Sequence, residues 1–302
     1  MVQRTIPLTV LIPAKNEEKN IQDCLDSVSW ADQVFVLDSQ STDNTEALVK
    51  AAGRAIVQFH YDGGWPKKRN WGLQNLPIRN EWVLLLDADE RVTPELKAHI
   101  AWAIQQEDYN GFYLKWKFMF LGRWMKHSWS HGWMLRLIRH GKGEYEDLGM
   151  RREGGWDAEV HENVVVQGQC GRLNGLLNHD SQENLSFWIK KQNEFSDWNA
   201  KRRLVQLLEG IPPINYLWSG DPGKVRRLLK AIFIRLPFKP ALMFVYLYWF
   251  KRGFLDGRAG YYFCKLRAMH EMNINAKVFE IQQSKNDQKH NSKDCSSLDA
   301  AP

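Results

Sequence analysis

Trp82-Val83-Leu84-Leu85-Leu86-Asp87-Ala88-Asp89-Glu90 runs from five apolar residues straight into three carboxylates. A short continuous apolar run that stops abruptly reads as a strand buried on both faces. Two similar runs precede it. Leu8-Thr9-Val10-Leu11-Ile12 ends in Pro13 and then Lys15, Asn16 and Glu17, and Gln33-Val34-Phe35-Val36-Leu37 ends in Asp38 and Ser39. Ala55–Phe59 reads as a further strand. Between the strands lie helical patterns: Ile21, Cys24, Leu25 and Val28 share one face, residues 45–53 follow possible caps, and Lys67–Leu76 follows Gly63-Gly64. Thr93 caps a last helix with Pro94 at its first position. Such alternation through residue 105 predicts an α/β fold with a mostly parallel central sheet and flanking helices. Ligands of these sheets bind beyond the carboxyl ends of the strands, and three strands here end in polar groups.

The chemistry at those ends has two readings each. Two carboxylates spaced as in Asp87-Ala88-Asp89 suit a hard divalent cation that bridges phosphate oxygens; they also suit a turn that caps the next helix. Asp38 can accept hydrogen bonds from a base or a ribose, or cap its own loop, and Asp43 is the better cap. Lys67, Lys68 and Arg69 open a helix, where cations oppose the dipole unless an anion is near. A diphosphate would supply that anion; a solvated basic face is the alternative.

The chain has 302 residues, 44% of them hydrophobic, which is enough for a large core and too apolar for disorder. Its first residues lack a signal-peptide pattern, so export is not expected, and no run nears the roughly 20 apolar residues of a membrane span. Cysteines 24, 170, 264 and 295 form no CxxC pair, which argues for reduced thiols in a cytosolic protein. Net charge is +6, but residues 222–270 hold eleven Lys and Arg against one acid, Asp256. This segment carries +10 and the rest of the chain −4. Residues 241–250 are apolar, only ten long, and followed by Lys251 and Arg252, which suits a helix lying in a headgroup layer or packed on a domain. Gly111–Met119, Met134–His140 and Val160–Gln167 read as strands, Phe187–Gln206 as a helix, and residues 224–275 as two amphipathic helices broken around Pro237–Pro240.

Taken together, Leu11-Ile12-Pro13-Ala14-Lys15-Asn16-Glu17-Glu18, Val36-Leu37-Asp38-Ser39 through Thr45, Lys68-Arg69-Asn70 with Gly72-Leu73, and Leu86-Asp87-Ala88-Asp89-Glu90 resemble the family 2 glycosyltransferases over residues 6–95. Val160-His161-Glu162, Asn178-His179-Asp180 and Gly253-Phe254-Leu255-Asp256-Gly257 resemble the subgroup that builds lipopolysaccharide core and other cell-envelope glycans. The resemblance implies a GT-A fold, a nucleotide-diphosphate sugar donor (a UDP-sugar first), Mg²⁺ or Mn²⁺, and inverting transfer of a hexose. It implies that Pro13, Ala14, Glu17, Asp38, Ser39, Lys68, Arg69, Asp87 and Ala88 line the donor site. Asp89 would bind the metal, with His179 completing it or touching the diphosphate. The acceptor would be lipid-linked or a surface glycan, met at the cytoplasmic face of an anionic membrane, with no nucleic acid involved. Residues 1–220 form the expected catalytic domain (1–105 for the donor, 106–220 for the acceptor), 221–281 a basic membrane-associating helical segment, and 282–302 a disordered tail.

Inverting transfer needs one carboxylate to take the acceptor's proton. Glu162 is the candidate base, with Asp157 and Glu159 as alternatives; Glu162 could instead pair with Arg151 or Arg152. Trp116, Trp124, Trp129, Trp133 and Trp156 offer ring faces for sugars or for a core. Two other classes compete. An aspartate-dependent phosphohydrolase also places DxD after a strand, but on the first strand, and a basic membrane-binding module needs only the tail. A dinucleotide oxidoreductase lacks its GxGxxG after the first strand.

Overall fold

The computed structural model describes residues 5–129, 132–147, 162–179, 184–218 and 221–298. The chain divides into two compact units, one of residues 1–119 and 131–182, the other of 120–130 and 183–302.

In the first unit, β1 (Ile6–Ala14), α1 (Ile21–Ser27), β2 (Ala31–Asp38), α2 (Thr45–Ala51), β3 (Ala55–Gln58), α3 (Lys68–Asn75), β4 (Trp82–Leu85), β5 (Glu90–Val92), α4 (Pro94–Ala103) and β6 (Gly111–Phe120) follow in order. A short β7 (Arg123–Trp124) falls in the second unit. The first then continues with β8 (Trp133–Arg139), β9 (Gly143–Tyr145), β10 (Val164–Val166) and β11 (Cys170–His179). Sheet order is β3-β2-β1-β4-β8-β6-β11-β5. Strands β3, β2, β1 and β4 are parallel, as the alternation predicts. Beyond β4 the sheet is mixed, because β8 enters antiparallel to both β4 and β6.

Period-two alternation explains the two cores. Leu8, Val10 and Ile12 face a layer made with Ile21 and Leu25 of α1 and Leu96 and Ile100 of α4. Leu11, Phe35, Leu37, Val83 and Leu85 face the other way, onto Leu73 of α3 and Tyr145. Helix α3 lies so close to the sheet that a Cβ on Gly72 would stand 2.4 Å from Leu37 Cδ1. The parallel register pairs Ala14 with Asp38 and Leu11 with Leu85, so β1, β2 and β4 stop at the same edge. Thr93 Oγ1 accepts the Leu96 N–H and Pro94 opens α4, as read from the sequence.

The second unit is helical: α5 (Leu185–Leu208), a 3₁₀ turn (Ile214–Trp218), α6 (Pro222–Phe233), α7 (Lys239–Val245), a π turn (Tyr246–Phe250), a 3₁₀ turn (Gly253–Asp256) and α8 (Gly257–Leu298). It differs from the sequence reading in three respects. Residues 224–275 are not two helices broken once around Pro237–Pro240, because left-handed Arg252 and Gly257 interrupt the second a further time. The expected boundary near 220 lies instead at 183, because α5 packs along α8 through Ala200, Ile274 and Val278. Arg203 adds a 2.8 Å ion pair to Glu271. Residues 282–298 are helix rather than disordered tail, since 261–298 contain no Gly or Pro to stop α8. Among the described residues no helix is long and apolar enough to cross a membrane.

Asp256 is buried at the 3₁₀ turn and gathers the 126–128 loop of the same unit. Its carboxylate accepts the backbone N–H groups of Lys126, His127 and Ser128, the Ser128 hydroxyl at 2.8 Å, and lies 2.9 Å from His127 Nδ1. Burial alone would raise its pKa; the bonds from Ser128 and His127 outweigh it and hold the carboxyl below the usual range.

Candidate functional site

The loops after β1 and β2 are laced to each other. Asn16 and Gln40 each take a left-handed backbone, with φ of 56° and 58°, and so turn their chains sharply at the sheet edge. Asn16 N–H donates to Ser41 Oγ, Glu17 N–H to Thr45 Oγ1 and Glu18 N–H to Asp43 Oδ2, while Asn16 Oδ1 accepts from Thr42 N. Asp43 also takes the Thr45 N–H and hydroxyl, so it caps as expected. Asp38 is fully buried; it accepts the Ser41 N–H and hydroxyl and, at 2.9 Å, the Gln58 amide. Ser39 donates its N–H to the Ala14 carbonyl, and Glu17 Oε2 accepts from Asn20. Pro13, Ala14, Glu17, Asp38 and Ser39 therefore form one continuous rim. Gln58, at the end of β3, is a member of it that the sequence reading missed.

At the end of β4, Asp87 is bound by two guanidiniums. Arg69 Nη2 lies 2.5 Å from Oδ1 and Arg136 Nη2 lies 2.6 Å from Oδ2. Burial would raise the Asp87 pKa, but Arg136 and then Arg69 override it and hold the carboxyl well below the ordinary carboxylate range. Arg136 also reaches Glu90 at 3.0 Å. Burial dominates at Glu90, pushing it up to about 8 against the pull of Arg136. A carboxylate so firmly held is a poor nucleophile, which counts against the phosphohydrolase reading. Ala88 is buried and its carbonyl accepts from Arg91.

Asp89 and His179, ninety positions apart, meet with Oδ2 and Nε2 3.3 Å apart. Two features of β11 cause this. Its pairing with β6 shifts register between Arg172 and Leu176, where Gly175 has φ of +89° and sits against the Leu96 backbone. Past the bulge, His179 pairs with Glu90 of β5. His179 Nδ1 is buried with no hydrogen-bond partner among the described residues, and the same is true of Trp116 Nε1. Those two rings meet edge to face with centroids 4.5 Å apart. Among the described residues no three His, Cys, Asp or Glu side chains cluster closely enough to hold a metal ion. Asp89 and His179 offer one oxygen and one nitrogen. That donor pair would suit part of the shell of a divalent cation.

The basic trio at the start of α3 is buried, which rules out a solvated face. Lys68 Nζ donates to the Ala14 carbonyl at 3.0 Å, tying α3 to the end of β1. Lys67 forms a buried ion pair with Glu162. Glu162 thus has a lysine partner that the sequence did not point to. Asp157 and Glu159, like Arg151, Arg152, His161, Trp156 and Asp180, lie outside the described residues.

Residues 9–151 match the family model described as "Glycosyl transferase family 2". Over 297 residues the chain is 26% identical to the lipopolysaccharide core biosynthesis glycosyltransferase LpsC of Rhizobium meliloti, covering 91% of this chain and 93% of that protein. It is 35% identical over 77 residues to the glucosyl-3-phosphoglycerate synthase of Mycobacterium tuberculosis, which covers 24% of this chain and 21% of that one. A crystal structure of the mycobacterial synthase with Mg²⁺ and UDP matches 38% of this chain and 44% of its own at 25% identity, with a TM-score of 0.32.

Proposed function

We propose that the chain is a glycosyltransferase with a family 2 domain of GT-A type, which moves a hexose from a nucleotide-diphosphate sugar, a UDP-sugar first, to a lipid-linked or cell-surface glycan acceptor. Transfer is a single displacement with inversion. The name of LpsC, matched over nearly its whole length, supports a glycan acceptor of the envelope type. The observation that carries the reading is the convergence of Asp89 with His179 beside two buried ring nitrogens that have no partner among the described residues. Leaving such groups unsatisfied costs about 1–3 kcal/mol each, so polar ligand atoms there are favoured.

In this reading the laced rim around Asp38 receives the nucleoside. Lys68 and Arg69, fixed by Ala14 and Asp87, hold the wall against which the diphosphate lies. Asp89 and His179 would hold a Mg²⁺ or Mn²⁺ ion, which neutralises charge on the departing nucleoside diphosphate. Glu162 takes the acceptor proton, exchanging its Lys67 contact for the acceptor hydroxyl, with Asp157 and Glu159 as the other carboxylates for that role. The acceptor is met at the cytoplasmic face of an anionic membrane.

The test is calorimetry of UDP binding with and without Mn²⁺, followed by NMR of the anomeric configuration of any product made from a panel of nucleotide sugars. Wild-type protein should bind UDP more tightly with Mn²⁺, and Asp89→Ala should lose the metal-dependent part. Equal Mn²⁺ dependence in both proteins removes the metal role, and a retained anomeric configuration removes the single displacement.

A further inference from the structure

Residues 239–250 leave an apolar, aromatic surface uncovered. Helix α7 and the π turn after it bury only Leu247. Phe250 is 77% exposed and Trp249 60%, and Leu242, Val245 and Tyr246 are exposed as well. Water makes such a contiguous display unfavourable, so it marks a contact surface.

The backbone sets this segment apart from its neighbours. Phe238, itself 81% exposed, enters α7 with φ of 54°, and Arg252 leaves the π turn with φ of 59°. Left-handed conformation at residues with a Cβ is costly, and at bulky Phe more so, yet it occurs at both ends of the stretch 238–252. The π turn is itself an uncommon form that concentrates at functional places. The two left-handed residues and the widened turn set this segment off as an element of its own, seated on α8 where Phe244 and Tyr248 meet Tyr261 and leaving its other face to solvent.

Charge identifies what covers it. Residues 222–270 contain one acid, Asp256, and its carboxylate is buried and fully engaged by the 126–128 loop. What this stretch shows to solvent is therefore cationic: Lys224, Arg226, Arg227, Arg252, Arg258 and Lys265 are all exposed. Cations also lie directly over the rings, Lys265 Nζ at 4.7 Å from the Phe244 centroid and Lys251 Nζ at 5.8 Å from that of Tyr246. Beside them opens a cavity of about 350 Å³ walled by Tyr248, Phe254, Tyr261 and Tyr262, with Arg258 as its charged side. Exposed Trp, Phe and Leu ringed by Lys and Arg match the boundary between anionic headgroups and acyl chains.

We propose that residues 238–252 form a wedge that seats in an anionic lipid leaflet, with Phe238, Trp249 and Phe250 at the acyl boundary and Lys251, Arg252 and Arg258 on lipid phosphates. The proposal rests on the membrane-facing acceptor of the preceding section and specifies which surface meets the membrane.

Cosedimentation of the full chain with phosphatidylcholine vesicles, with and without phosphatidylglycerol, tests it. Wild-type protein should sediment with the anionic vesicles and be released by salt. Trp249→Ser with Phe250→Ser should lower that partitioning roughly 10- to 100-fold, and Lys251→Glu with Arg258→Glu about 5-fold or more per residue. Both should keep the wild-type melting temperature, since the side chains removed are exposed or half-buried. If wild-type protein binds anionic vesicles and the aromatic variant binds equally well, the wedge is overturned while the membrane-facing reading stands. If wild-type protein ignores anionic vesicles, both fall.

Discussion

Arg136 Nη2 lies 2.6 Å from Asp87 Oδ2, and the same nitrogen is 3.0 Å from Glu90 Oε1. One guanidinium on β8 thereby holds the two carboxylates that flank Asp89 in sequence. It also shares Asp87 with Arg69 of α3, so three elements are fixed at one point.

Removing that guanidinium leaves Asp87 with Arg69 and deprives buried Glu90 of its 3.0 Å partner. Arg136→Met should destabilise the protein by about 1–3 kcal/mol, the range for a buried polar group that loses a partner. Urea unfolding measures it. A loss below about 1 kcal/mol would show that the cluster contributes little to the fold.

Gly175 is where β11 is re-aimed toward β5. A Cβ there would stand 2.9 Å from Leu96 Cα, on backbone that already has a positive φ. Gly175→Ala should cost about 2–3 kcal/mol in stability. It should also weaken Mn²⁺-dependent UDP binding by moving His179 from Asp89. Calorimetry that finds wild-type Mn²⁺ dependence in this variant would separate the bulge from the site.

Glu162 is buried against Lys67, so substitution has separable effects on turnover and stability. As the base, Glu162→Gln should keep UDP affinity and lower kcat roughly 10²- to 10⁴-fold. Lys67→Met should remove the lysine from the buried Glu162 carboxylate and lower stability. Near-normal kcat in Glu162→Gln would transfer the base role to Asp157 or Glu159.

Asp256 links stability to acid. Its pKa is lowered in the folded protein, so its contribution is fully present above the unfolded value, about 3.9, and is lost as pH falls through the folded one. Asp256→Asn should be less stable than wild type at neutral pH. The gap should narrow below about pH 4, as measured by urea titrations at successive pH values. A gap independent of pH would mean that the carboxylate charge is not what holds the 126–128 loop.

The parallel half of the sheet was legible because each strand is an apolar run stopped by polar residues, and Leu84-Leu85-Leu86 before Asp87 needs no partner to be recognised. The loops were legible as polar rims. Their lacing through Asn16, Ser41 and Thr45 was not, because it depends on which strands are neighbours. Arg136 did leave a signal, a lone cation inside Met134-Leu135-Arg136-Leu137-Ile138. Its meaning depends on register: Leu84 pairs with Leu137, which sets Arg136 beside the end of β4. The Lys67–Glu162 pair spans 95 positions and had no such marker. The helical continuation past residue 281 was hidden by composition, since polar Ser, Lys and Asn content outweighed the missing Gly and Pro.

Asp256 lies 128 residues beyond Ser128, whose hydroxyl it binds. During synthesis the 126–128 loop emerges from the ribosome long before its anchor. Until residue 256 is made, the backbone N–H groups of Lys126, His127 and Ser128 must be satisfied by water or by a chaperone. A product cut short between residues 183 and 255 would carry the whole first unit with this loop untied. Maturation of the loop is thus timed by the translation of a single late codon.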